Sequence, residues 1–593
     1  MDFNCLPMKI NQYFSQYKSS FSLLLILNGL LGAFAGVLTA TWQAPIETAQ
    51  VLIGLVKYDP GSIQYAYHST VFSLLNYIGV ILLYLTDSEF LSSILLSALL
   101  GILAVQSLAM VIFLVWRNVY AAFLISSFLL QQNFNPIGIS YPILFLGTEH
   151  AYGRAGLSFT LFAVLFLGYS KYRMGLFLSG LALAVHPAWG LWLNVCLVMT
   201  FAIYHKKFKN LVNIQNLISY GSGIVLFMSM YLWHKMYFTV PADSTLVSSS
   251  QAREIFLNYI KYWDYHRQKF DDIKLLGRGF YFSFISLTLS LYFIVNKKKE
   301  ITTDQQIFFS TIIISTLSAI IFVFIPSWFD QETFPESLII LMPGRFINLS
   351  IFVCVPLLMA TIPYLHDHLI ERNKINFFKN SGVVLLILIV IPLFLGIREI
   401  PRVTLFGLII YTTFNYGLNK LKKEFKNIYI IYLIVIIGLY LNIFNQSYNL
   451  KQRFPIIELK NKTNGLILTT MENYLVQNQI RAGAITPHLD GYLYGGKGPV
   501  YALNRMVEDL FGLSLLSPPP LRVKNLHGSI IASDDFKDLW ESRKCQEWEQ
   551  LSSQYHFGLV LVPKTFSLLL PIVDRGTDSN GKGWIAYKPH CLK

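Results

Sequence analysis

The chain has 593 residues, of which 54% are hydrophobic, 15% aromatic and only 13% charged. Soluble globular proteins carry roughly 25% charged residues, so there is too little polar surface here for an ordinary soluble protein. The net charge of +14 would suit nucleic acid, but Lys and Arg gather in short loops between apolar runs (Lys206-Lys207, Lys297-Lys298-Lys299), as cytoplasmic loops do, and no nucleic-acid partner is expected.

In chain order, Lys9 and Lys18 precede the apolar run Phe21–Trp42. That run is too long for the core of a cleavable signal and has no small-residue cleavage site, so it reads as a signal-anchor helix with its N-terminus cytoplasmic. Residues 91–115 contain no charge. About 20 such residues at ~1.5 Å rise cross a ~30 Å hydrocarbon layer, and in lipid the backbone must pair within its own segment, which requires helices. Residues 21–42 are expected to leave the cytoplasm, 70–86 to return, and 91–115 to leave again. The run 118–132 then breaks parity if it spans, so it is expected to lie at the interface or re-enter. Residues 157–170 return.

Further along, basic loops at Lys171–Arg173, Lys206–Lys209, Lys297–Lys299, Arg372–Lys379 and Lys420–Lys426 alternate with apolar segments near 174–185, 187–205, 217–233, 280–295, 307–326, 346–363, 381–396, 404–418 and 428–445. Each basic loop is separated from the next by an even number of crossings, so all of them face the same side. The segments that must face outward are 43–69, 133–156, the His186-Pro187 corner, 234–279, 327–344 and everything after about 446. The loop Arg398–Arg402 must also face outward, and its two arginines run against the pattern.

The expected fold class is therefore mainly α. It is a polytopic transmembrane bundle of about thirteen spans over residues 1–445, followed by a soluble extracytoplasmic α/β domain over 446–593. Strand-length runs (Leu466–Thr470, Gly558–Val562) and amphipathic stretches near 503–511 and 534–556 alternate in that last part, which is the α/β pattern. The five cysteines lack metal-ligand spacing. Cys196 and Cys354 lie in apolar runs and read as small core residues, whereas Cys545 and Cys591 share the terminal domain and can pair if that compartment is oxidising.

Ionisable groups at helix mouths are costly in a membrane and are functional candidates. The first outward loop offers Glu47 and Asp59, with His68 just before the next apolar run. A carboxylate at the boundary can act as a general base or hold a divalent cation, Mg or Mn, or simply be a solvated loop charge. The second loop, GTEHAYGR, brings Glu149, His150 and Arg154 within six residues, a set able to bind a phosphate-bearing or metal-bridged ligand. In LALAVHPAWG, Pro187 opens a helix and His186 either caps the turn or contributes a proton beneath the loops. YWDYHRQKFDD carries Asp264, His266 and Arg267 among aromatics, which suits sugar recognition or an interfacial amphipathic helix. Arg345 follows Pro343-Gly344 at the mouth of a long apolar run; it can clamp a lipid phosphate bidentately or snorkel to the headgroups. No P-loop, G-x-S-x-G, HExxH or CxxC occurs, against a nucleotide-driven motor or ordinary hydrolase.

An early acidic outward loop, a second acidic loop, an H-P corner, a late Arg at a helix mouth and a C-terminal outward α/β domain together resemble the GT-C superfamily. These are integral-membrane glycosyltransferases that use polyprenyl-phosphate-linked sugars. The stretches ITPHLDGYLYGGKGPVYAL, EWEQLSSQYHFGLVLVPK and GWIAYK resemble the outward domain of uncharacterised bacterial members. The resemblance implies a bacterial inner (plasma) membrane location, a polyprenyl-phosphate-sugar donor, and a glycan, lipid or protein acceptor. It gives Glu47 or Asp59 the part of catalytic base, with the choice leaning to Glu47. Glu149 takes a metal- or donor-binding position and Arg345 a lipid-phosphate contact. Neither loop has a D-x-D. Other functions compatible with the sequence are a transporter or flippase for a lipid-linked glycan, a polysaccharide polymerase or ligase, and a non-catalytic scaffold. A transporter would place its charges at the bilayer midplane, often on paired broken helices, whereas here they gather at helix mouths.

Overall fold

The computed structural model describes residues 6–58, 60, 63–131, 146, 151–205, 213–238, 249–262, 273–296, 302–324, 335, 338, 341, 343–372, 454, 456–459, 466–471, 475–477, 484–485, 497–514, 516–517 and 536–591. The chain is mainly helical. Among the described residues four helices are long and apolar enough to cross a membrane: Phe21–Leu38, Glu89–Val115, Thr303–Phe322 and Gly344–Thr361. Shorter apolar helices cover Leu74–Thr86, Tyr152–Gly168, Tyr172–Val185, Pro187–Ile203 and Gly279–Val295. Large apolar side chains also point outward in rows, as along Leu217, Ile218, Val225, Leu232, Trp233 and Met236, where water would penalise them and lipid would not. The expected spans 381–396, 404–418 and 428–445 lie outside the described residues, so the span count rests on the sequence alone.

Helix α1 (Leu6–Leu38) and helix α5 (Glu89–Val115) form the tightest pair. Glycines let the two backbones meet: a Cβ on Gly101 would lie 2.2 Å from the Gly32 carbonyl oxygen, and one on Gly36 would lie 2.3 Å from that of Ser97. Small residues at such a seam are how helices associate closely in lipid. Gln106 Nε2 adds a bond to the Leu25 carbonyl at 2.8 Å. These contacts pair the end of α1 with the beginning of α5, so the two helices are antiparallel. We call the end of the bundle reached by Leu38 the upper end.

This pairing changes the expected course of the first third of the chain. Between α1 and α5 stand α2 (Ala44–Leu52), α3 (Ile63–Thr70) and α4 (Leu74–Thr86). Gly79 of α4 packs against Pro45, Ile46 and Ala49, and the Thr86 and Ser92 hydroxyls are 2.9 Å apart. Helix α4 thus stays at the upper end and does not return, and α5 runs downward rather than outward. The chain then reaches the lower end, where Tyr169 Oη donates to the Met110 carbonyl at 2.6 Å. Helix α6 (Val119–Gln131) starts there, with Val119, Ala122, Ile125 and Leu129 in the bundle core. Helix α7 (Ala151–Gly168) begins back at the upper end, where Tyr152 bonds Asn76. The chain thus changes ends between residues 116 and 151, and residues 132–145 and 147–150 of that stretch lie outside the described residues. The chain re-enters the expected alternation at residue 157 and keeps it through the described residues up to 372.

From there α8 (Tyr172–Val185), α10 (Ile214–Tyr237) and α13 (Thr303–Phe324) rise, while α9 (Pro187–Ile203), α12 (Ile273–Asn296) and α14 (Asn348–Arg372) descend. Phe280 stacks on Phe324 near one end of the α12–α13 pair and Phe293 on Phe309 near the other, at centroid separations of 5.6 Å and 4.8 Å. At the lower end Asp304 accepts from the hydroxyls of Ser170 and Tyr172.

The C-terminal part forms the expected α/β unit. A five-stranded mixed sheet has the order β4-β2-β5-β7-β6, with β2 (Leu466–Thr469), β4 (Ala484–Ile485) and β5 (Phe557–Pro563) parallel and β6 (Ile572–Thr577) and β7 (Gly583–Tyr587) antiparallel. A separate pair joins β1 (Ile456–Glu458) to β3 (Leu475–Gln477). Helices α15 (Lys497–Phe511), α16 (Lys537–Ser542) and α17 (Cys545–Tyr555) cover the sheet through Phe511, Trp540 and Trp548. Cys545 and Cys591 form a disulfide. Cys196 and Cys354 are buried free thiols, as expected.

Gly101→Val is expected to lower the thermal midpoint in detergent, because overpacking a tight seam costs about 1–3 kcal/mol. Gly221→Ala is the control, since a Cβ there meets nothing within 4 Å. The course of α4 and α6 is checked by labelling single cysteines with a membrane-impermeant reagent. Ser88→Cys should react from the side of the C-terminal domain and Arg117→Cys from the opposite side.

Candidate functional site at the upper end of the bundle

Helix α2 opens with Pro45 in its first turn, followed by Glu47. A proline fits there because its missing N–H would be unpaired anyway, and the carboxylate faces the positive end of the helix dipole. Gln43 Nε2 donates to Ser97 Oγ at 3.1 Å and ties the start of α2 to α5. The helix ends at Gly54, whose φ of +75° is a left-handed conformation that glycine adopts freely. The chain then turns through Tyr58 to α3, which carries His68 in its last turn.

The hairpin formed by α2 and α3 assembles a compact polar group. His68 is 1% exposed. Its Nδ1 lies 2.9 Å from Thr48 Oγ1, and its Nε2 lies 3.7 Å from Glu47 Oε1. The ring stacks on Tyr58 at 5.4 Å and 16° and meets the edge of Tyr67. Tyr58 Oη donates to the same Glu47 oxygen at 3.4 Å. The Glu47 side chain itself remains 41% exposed, so a buried framework holds a carboxylate that an incoming ligand can reach.

Helix α7 extends this group sideways. The Tyr152 phenol lies against the Thr48 hydroxyl, within electrostatic reach of Glu47, and donates to Asn76 Oδ1 at 2.8 Å. One turn further on, Gly156 is so close to the next corner that a Cβ would lie 2.7 Å from that of His186. His186 caps α9, accepting from the Trp189 amide at 3.5 Å through Nδ1. The imidazole is half-buried, and its desolvation there together with the Arg345 guanidinium holds its pKa well below the ordinary histidine range. It is therefore a neutral ring beside a cation. Arg345 lies in the short 3₁₀ turn Pro343–Ile347 and is 5% exposed. It does not snorkel outward. Its neighbour Phe346 stacks on Trp192 at 4.5 Å and packs edge-on to Trp189, which fixes the turn.

Glu47 and the His186–Arg345 pair thus meet one face of the first turns of α7, one turn apart. Tyr152 and Gly156, the two contact points, are separated by about 6 Å along the helix axis. The C-terminal domain closes over the same place. Val51, Val56 and Tyr58 share one apolar cluster with Phe238, Phe256 and Tyr259 of the bundle and Met506, Leu510 and Phe557 of the domain. Gln64 Nε2 approaches Met506 Sδ at 3.8 Å.

Of the residues singled out from the sequence, Glu47, His68, Arg154, His186 and Arg345 lie at this end, Arg154 half-buried on α7. Asp59, Glu149, His150, Asp264, His266 and Arg267 lie outside the described residues. Sequence reasoning missed Thr48, Tyr58, Asn76 and Tyr152, which are ordinary polar residues until the hairpin folds. Among the described residues no group of three or more His, Cys, Asp or Glu converges as a metal site. No protein-family profile matches the chain, and no curated protein matches it in sequence.

A neutral, half-buried histidine carries a consequence for stability. Its folded-state pKa is lowered, so below about pH 6.5, the usual histidine value, the unfolded chain binds a proton that the folded one refuses. Stability is kept above that pH and falls as pH drops below it. His186→Asn keeps a good capping side chain and should flatten this fall. The thermal midpoint of wild type and variant between pH 7.5 and 5 is the check, and parallel curves would refute it.

Proposed function

We propose that this chain is an integral-membrane glycosyltransferase of GT-C type, moving a sugar from a polyprenyl-phosphate donor to a glycan, lipid or protein acceptor at the upper end of the bundle. The observation that carries this reading is that an accessible, braced carboxylate, Glu47, and a rigidly seated cation, Arg345, gather at one end of the bundle around the first turns of α7. Such a pair suits a reaction that removes a proton from one partner and releases an anion from the other. A midplane carrier would need its charges at membrane depth instead.

The steps follow from these two groups. Glu47 takes the proton of an acceptor hydroxyl. The acceptor oxygen forms a bond to the anomeric carbon as the bond from that carbon to the phosphate oxygen breaks. Polyprenyl phosphate leaves with the electron pair, and Arg345 offsets the charge that develops on it. The polyprenyl chain lies in lipid along the exposed apolar helices while its head reaches the upper end.

The orientation belongs to the same proposal. Lys171 and Arg173 open onto the lower end, which suits the cytoplasm, and the Cys545–Cys591 disulfide suits an oxidising compartment above. The bacterial inner membrane, with the N-terminus cytoplasmic, fits both. A divalent cation held by Glu149 remains part of the resemblance, and no step here runs through one.

The test is to incubate the purified protein with labelled polyprenyl-phosphate sugars and follow release of polyprenyl phosphate. Glu47→Gln should lower kcat about 10²-fold or more. Arg345→Lys, which keeps the charge but not the two-pronged contact, should fall by a smaller factor. Full activity in Glu47→Gln, or no turnover of any donor by well-folded protein, would overturn the reading.

A further inference from the structure

Thr48 and Glu47 are consecutive on α2, and both address one imidazole on α3. Thr48 Oγ1 sits at Nδ1 (2.9 Å) and Glu47 Oε1 faces Nε2 (3.7 Å). The ring has no freedom to turn away, being 1% exposed, stacked on Tyr58 and edged by Tyr67. This is more order than a loop histidine needs for packing alone. From this geometry we infer that His68 is a positioning residue for Glu47, holding the carboxylate in one orientation both before and after it takes up a proton. The inference rests on Glu47 being the base.

The hydrogen-bond inventory supports both stages. A neutral imidazole has one N–H and one lone pair. With Glu47 ionised, a lone pair at Nε2 would face a negative oxygen, so the ring's proton belongs on Nε2 and points at Glu47. Nδ1 then accepts from the Thr48 hydroxyl. With Glu47 protonated on Oε2, the oxygen that faces the acceptor, Oε1 stays a carbonyl oxygen and still faces the Nε2–H, so the ring keeps its tautomer and its bond from Thr48. Every donor has an acceptor in each arrangement, and no charge is stranded in the buried part of the group. The 3.7 Å separation exceeds a hydrogen bond, as catalytic contacts often do before the substrate tightens them. Tyr58 supplies the second bond to Glu47 Oε1, which leaves Oε2 for the acceptor.

Two readouts test this. The first needs no substrate. The carboxylate stretching band of Glu47 is obtained as the infrared difference between wild type and Glu47→Gln at fixed pH. His68→Phe keeps the stacked ring and removes both nitrogens, and it should shift that band. His68→Gln, whose amide can reach where Nε2 was, should restore it in part. Thr48→Val leaves the imidazole in place but removes the hydroxyl that fixes which nitrogen carries its proton, and should give a smaller shift in the same direction, which covers the case in which His68→Phe does not fold.

The second readout is turnover of the labelled polyprenyl-phosphate sugar. His68→Phe should lower kcat about 10- to 100-fold, the usual cost of losing an orienting partner, with KM unchanged and the pH–rate profile displaced. In a Glu47→Gln background it should cost little more, since residues acting as a unit are not additive. An unmoved band, or equal losses in both backgrounds with an unmoved profile, overturns the inference. A shifted band in a protein that turns over no donor leaves the positioning intact and removes the transferase reading instead.

Discussion

The close approach of α1 and α5 is the contact on which the rest of the arrangement depends. With no side chain at Gly32 or Gly101, the two backbones touch, and α5 is held antiparallel to the helix that precedes it. Lipid tails are as apolar as leucine, so helices there gain little from simple burial and much from fitting closely. Once α5 is committed to descend, everything between residues 39 and 88 must stay at the upper end. Three short helices, α2, α3 and α4, are folded into that space. Glu47, Thr48 and His68 come together because the chain has nowhere else to put them.

Charge is handled differently at Glu47 and at Arg345. Glu47 is partly open to solvent and fed by donors from buried residues, so ionising it needs no deep burial of charge. Arg345 sits inside, beside an imidazole kept neutral. A buried cation is expensive in a low-dielectric setting, and this one is seated at a helix mouth by a 3₁₀ turn and an aromatic stack. Both groups are fixed by packing: Pro45 and Gly54 bound the helix of one, and Phe346 against Trp192 holds the turn of the other.

The helical bundle, its alternation beyond residue 157 and the terminal α/β unit were legible in the sequence, because apolar runs and basic loops report directly on solvent. The α4 and α6 segments were not. Leu74–Thr86 is largely apolar and only its packing on α2 reveals that it stays at one end, while Val119–Gln131 is short for a span and its sequence does not say that it starts at the lower end, inside the bundle core. Glu47 and Arg345 stood out as charges at helix mouths. The partners of Glu47 did not, since Thr48, Tyr58 and Tyr152 are unremarkable in composition and gain a role only through contacts spanning up to about a hundred residues of chain, for which local periodicity carries no information.

Tyr58 belongs to two structures at once. Its ring is part of the apolar cluster that seats the C-terminal domain, and its hydroxyl reaches the Glu47 carboxylate. Thermodynamic linkage makes such sharing reciprocal. If docking of the domain favours one placement of Glu47, then a ligand that prefers that placement strengthens the docking by the same free energy. The domain and the carboxylate are in that sense two handles on a single equilibrium, and pulling on either moves the other.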